Sequence, residues 1–150
     1  MQTMATAAAI LLATFAFARA ENNVTTQPVN YIKLQKAVRS SALSAADQAQ
    51  TMARLALMSH RDATTQAAYA QDLKTTVNQL LNRAEQLALA MPYEEFNSAE
   101  GHQLQTDVSK LAATTQKTIL FINESPNRMQ SGQYQDLLNQ IKEICLEIAE

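Results

Sequence analysis

The segment Met52-Ala-Arg-Leu-Ala-Leu-Met-Ser59-His60-Arg61-Asp62-Ala63-Thr64-Thr65-Gln66 decides the fold, because it is either the middle of one long helix or the joint between two. It contains neither Gly nor Pro, and two rows of seven-residue spacing run through it. One row is Ala56, Ala63, Ala70, Val77 and Ala84; the other is Met52, Ser59, Gln66, Leu73 and Leu80. Taken without interruption, the rows describe a helix over about 30–91, roughly 93 Å long at 1.5 Å per residue. With two shorter helices after it, such a chain would be coiled-coil-like. Two features point to a joint instead. The rows turn polar at Ser59 and Gln66, where a turn would expose them, and Asp62 or Thr64 can cap a new helix. A break near 60–64 also yields helices of matching length, as an up-down-up-down four-helix bundle requires. The expectation is therefore an all-α four-helix bundle, with the long helix as the alternative.

The flanking sequence supplies the other faces. Before the joint, Tyr31, Val38, Ala45 and Met52 share one side of a helix with Ala42, Ala49 and Ala56. That side is mostly alanine, so a neighbouring helix can approach closely. After the joint, Tyr69, Leu73, Val77, Leu80, Ala84, Leu87 and Met91 form a stripe that Pro92 ends, since proline lacks the amide donor and clashes with the preceding turn. Tyr93–Ser98 reads as a loop. Ser98 can cap the next helix, with Gly101 weakening its first turns. That third helix carries Leu104, Val108, Leu111, Thr115, Ile119 and Ile122, and stops at Ser125-Pro126-Asn127. A fourth follows Gly132 with Tyr134, Leu137, Leu138, Ile141, Ile144, Cys145 and Ile148. Two glycines and three prolines in 150 residues are too few for a protein of many β-turns, and Ala, Leu, Gln, Lys and Glu are good helix formers.

The N-terminus reads differently. The uncharged run Ala5–Ala18 is fourteen residues long, short of the roughly 20 that a membrane-crossing helix needs. It suits a signal-peptide core, and Ala18-Arg19-Ala20 offers small residues where a signal peptidase cuts. The expected organisation is a signal peptide over 1–20, a mobile leader over 21–29 containing Pro28, and a single helical domain over 30–150. No Lys or Arg precedes the run, which favours a eukaryotic α-amine over a formylated bacterial Met as the orienting charge. Secretion to the extracellular space is the expectation, and the bacterial periplasm the alternative.

Few chemistries survive this sequence. Removing Arg19 with the signal leaves 11 basic and 14 acidic residues, a net charge of −3, so no nucleic-acid partner is expected. His60 and His102 lack a Glu three residues ahead, so the inward Glu-x-x-His pairs of di-metal bundles are missing. Glu94 and Glu95 lie beside Pro92, a poor setting for the burial that separates carboxylate pKa values. Two glycines cannot build a phosphate loop. The expectation is a non-enzyme with no catalytic residues, no metal ligands and no cofactor.

Three residues are candidates for modification. Cys145 lies in the apolar stripe of the last helix, as a small buried hydrophobe does, and is also the one thiol available for an intermolecular disulfide. Asn23-Val24-Thr25 and Asn123-Glu124-Ser125 match the glycan acceptor pattern, and Pro126 disfavours the second. Asn23 is therefore the candidate glycosylation site.

The first functional expectation is a secreted, non-enzymatic helical protein that binds a protein partner or self-associates through its helix faces. The second is an exported carrier of lipid or another apolar ligand, held in the bundle or on opened amphipathic helices. As a class of Ala- and Gln-rich exported bundles, the chain is similar to the exchangeable insect apolipophorins, with no shared motif and a different helix count. That likeness implies the second use.

Overall fold

The computed structural model describes residues 28–58 and 63–150, with side chains from Tyr31 onward. Its elements are α1 (Pro28–Ala56), α2 (Ala63–Ala90), α3 (Tyr93–Phe96), α4 (Ala99–Glu124), a 3-10 turn (Pro126–Arg128) and α5 (Gly132–Ala149). The chain does break at the joint. Past Ala56 the helix tightens, with the amides of Leu57 and Met58 donating to the carbonyls of Arg54 and Leu55 at 3.1 Å each. The helix over 30–91 is thereby excluded. Thr64 lies inside the first turn of α2 and does not cap it, and Asp62 lies outside the described residues.

Helix α1 starts at Pro28, two residues inside the expected leader. Proline suits a first helical position, because the amide it lacks would have had no partner there and its φ is already helical. The rest of the leader, like the expected signal peptide, lies outside the described residues.

The four long helices form a ring, α1 against α2, α2 against α4, α4 against α5, and α5 back against α1. Their directions alternate. The start of α1 shares one end of the bundle with the close of α2 and the start of α4, and the close of α1 faces the start of α5. Helix α1 contributes an alanine seam, in which Ala42, Ala45, Ala49 and Ala56 have no exposed surface. Its neighbours supply volume, with Leu73, Val77, Leu80 and Leu81 from α2 and Leu138, Ile141 and Cys145 from α5. A buried leucine or isoleucine side chain stabilises by about 1.5–3 kcal/mol, and alanine by much less. The seam's role is to let those larger side chains reach across it. Tyr69, expected in the stripe of α2, is 39% exposed, and Ala70 takes the inward position.

Tyr93–Phe96 forms a helical turn where a loop was expected. Ser98 does cap α4. Its hydroxyl accepts from the Gly101 amide at 3.1 Å and donates to the Glu95 carbonyl at 2.6 Å. Gly101 is a requirement here and not a weakness. A Cβ on it would lie 2.4 Å from the carbonyl oxygens of both Glu95 and Phe96, so only glycine lets α3 rest on the first turn of α4.

Candidate functional site

The two ends of the ring differ. Where α1 closes and α5 begins, polar side chains bridge the helices. Tyr134, with no exposed surface, donates from its hydroxyl to Gln66 Oε1 at 2.5 Å. Gln66, equally buried, donates from Nε2 to the Met52 carbonyl at 3.4 Å. Gln135 Nε2 donates to the Ala53 carbonyl at 2.9 Å, supplying a partner at the helix end, where backbone carbonyls run out of amides. The Tyr134 ring stacks on Phe121 at 5.6 Å, and the Arg128 guanidinium lies over the outer face of this pair. Gln66 was expected to be exposed by a turn. It is buried instead, because a glutamine amide can bond across the core and need not face water.

Among the described residues, the opposite end is open. Along α1, Tyr31 lies about 33 Å from Ala53, whereas along α5 Ala149 lies only about 21 Å from Gln135. Helix α5 therefore stops roughly 12 Å short of the level of Tyr31. The uncovered interior is a cavity of about 660 Å³. Val38, Leu87, Met91, Leu104 and Ile148 give it an apolar lining. Tyr31, half-buried at the mouth, donates from its hydroxyl to the Glu95 carboxylate and so ties α1 to α3. Burial raises the Tyr31 pKa, and the hydrogen bond and the negative charge of Glu95 raise it further.

One wall residue is unlike the rest. Asp107 on α4 is only 2% exposed, and it lines the cavity. Its Oδ1 accepts from Gln103 Nε2 one turn earlier, at 2.8 Å. Its position was a signal in the sequence: it falls three residues after Leu104 and four before Leu111, on the face that α4 turns inward.

The residues singled out from the sequence are scattered. His102 is exposed in the first turns of α4, and His60 lies outside the described residues. Among the described residues no group of three or more His, Cys, Asp or Glu side chains converges as metal ligands would. Glu94 and Glu95 are both exposed on α3. Cys145 is fully buried, and burial pushes its thiol up to about 12. The thiolate that forms disulfides is thus suppressed in the folded bundle, and an intermolecular bond through Cys145 would require α5 to leave the ring. Asn123 is exposed on the last turn of α4, and Asn23 lies outside the described residues. No described helix is long and apolar enough to cross a membrane. Comparison with known proteins adds no relative: no family model, no curated protein and no solved structure matches the chain.

Proposed function

We propose that the chain is an exported, non-enzymatic carrier that holds a small apolar ligand in the open end of its bundle. The observation behind this reading is the cavity itself. Its volume of about 660 Å³ falls within the roughly 300–1,000 Å³ of small-molecule sites, and its apolar wall of Val38, Leu87, Met91, Leu104 and Ile148 is bordered by a polar, mostly charged rim. Export rests on the reading of residues 1–20 as a signal peptide. The expectation of a protein partner has less to build on. The large apolar side chains left exposed, such as Ile32, Leu57, Leu120 and Leu146, are spread over several helices, and single exposed hydrophobes are ordinary.

The test is uptake of N-phenyl-1-naphthylamine, a neutral probe that brightens in apolar surroundings. The chain should bind it at one site, and Leu104→Trp, which fills the cavity from its wall, should weaken binding at least tenfold with helicity intact. A chain that ignores the probe, or binds it equally well with the cavity filled, is not such a carrier.

A further inference from the structure

We infer that the ligand of this cavity is a single-chain amphiphile with a cationic amine head, and that Asp107 is the counter-ion of that head. The inference rests on the carrier reading and narrows it to one ligand chemistry.

The argument starts from the cost of the carboxylate. A carboxylate taken out of water is strongly unfavourable unless it is paired and hydrogen-bonded. Asp107 is 2% exposed, yet the partner it has among the described residues is the neutral amide of Gln103, on Oδ1 alone. No cationic side chain pairs with Asp107 among the described residues. An ammonium group brings the positive charge that this position lacks, and charge-assisted bonds to a carboxylate are the strong ones.

The surroundings favour the same sign. Glu100, Glu147 and Glu150 line the cavity with Glu95, although Glu95 already accepts from Tyr31. Lys36 and Arg39 are the cationic lining residues, and both are exposed on α1, where their heads keep their hydration. The four glutamates are as exposed as the two cations, so the rim is acidic by two charges and hydrated throughout, and Asp107 is the one charged lining residue that is buried. The helix ends do not alter this balance. The positive N-terminal ends of α1 and α4 are matched by the negative C-terminal ends of α2 and α5, so the backbone favours neither sign. The interior made by Val38, Leu87, Met91 and Ile148 takes the apolar body, with the buried acid on the α4 wall beside it.

The experiment displaces bound N-phenyl-1-naphthylamine from the full chain at neutral pH with three ligands of one chain length, n-octylammonium, n-octanol and octanoate. Octylammonium should displace the probe at a concentration at least tenfold below that of octanol, with octanoate weakest. Asp107→Asn should bring octylammonium to within about twofold of octanol while octanol itself is unchanged. Glu124→Gln, which removes a distant carboxylate, should preserve the wild-type ranking. Equal potency of octylammonium and octanol in the wild type, a preference for octanoate, or a preference that survives Asp107→Asn would each overturn the inference. Those results leave the carrier reading standing. A chain that never binds the probe defeats the carrier reading first and this inference with it. Where Asp107→Asn fails to fold, salt decides: a preference that survives about 1 M salt belongs to the buried acid, and one that salt abolishes belongs to the exposed glutamates and overturns the assignment.

Discussion

The two ends of the bundle are closed by different kinds of group. At the end where α5 begins, buried side chains reach across helix boundaries: Tyr134 to Gln66, Gln66 to the Met52 carbonyl, and Gln135 to the Ala53 carbonyl. At the other end α5 falls short, and among the described residues a hydroxyl-to-carboxylate contact between Tyr31 and Glu95 spans the mouth of the cavity. The difference shows how a core thinned by alanine can still carry a cavity. Directional bonds fix the pairing of helices at one end, so the other does not have to be filled to define the fold.

The strongest way to break this comparison is to disturb the one tight corner of the open end. Gly101→Ala places a methyl 2.4 Å from two backbone carbonyl oxygens, which cannot swing aside as a flexible side chain would. Overpacking costs typically 1–3 kcal/mol, and the full backbone displacement puts this variant at the upper limit, about 3 kcal/mol. Chemical denaturation followed by circular dichroism measures it. Since α3 carries the carboxylate that Tyr31 bonds, probe uptake should fall with stability. A change below about 0.5 kcal/mol, within the range of ordinary surface substitutions, would mean that α3 is not seated on α4 as described.

A smaller effect is expected at the bridged end. Tyr134→Phe keeps the ring on Phe121 but removes the donor to Gln66 Oε1, leaving a buried acceptor short of a partner. Such a loss costs about 1–3 kcal/mol, and about 2 is expected here. The sharper measurement is a double-mutant cycle. If the bond couples α5 to α2, Gln66→Leu combined with Tyr134→Phe should cost clearly less than the two single changes added together, because the double change leaves neither polar group stranded. Additive costs would show that the two residues act independently and that their bond does not couple α5 to α2.

Much of the bundle was legible because it depends on local periodicity. The stripes of α4 and α5, the stop at Pro92, the cap at Ser98 and the start of a helix at Gly132 each follow from neighbours within one or two turns. What escaped depends on groups distant in the chain. Gln66 looked like an exposed turn residue because its partner, Tyr134, is 68 positions away. Gly101 looked like a weak helix start because the carbonyls it accommodates belong to α3, a turn with no apolar period of its own. The cavity was not legible from any single stripe, since it results from α5 being shorter than α1 and α4. Asp107 alone left a local trace, as an acid on an inward face, and its meaning required the cavity beside it.

The smallest effect has the opposite sign and completes the comparison through the chain's second glycine. Gly132 opens α5 at the bridged end, directly after the Ser131 cap, whose hydroxyl accepts from the Tyr134 amide at 3.2 Å. A Cβ there meets no atom within 4 Å, and the residue does not adopt a left-handed φ. Gly132→Ala should therefore stabilise the chain, because it removes unfolded-state freedom and adds no contact to disturb. The expected gain is about 0.5 kcal/mol, read as a small rise in the denaturation midpoint with an unchanged slope. The two glycines differ because Gly101 serves a close approach made by another element and Gly132 serves none. A loss of stability in Gly132→Ala would mean that the start of α5 is more tightly enclosed than this geometry shows, and that the bridged end depends on its backbone as well as on its side-chain bonds.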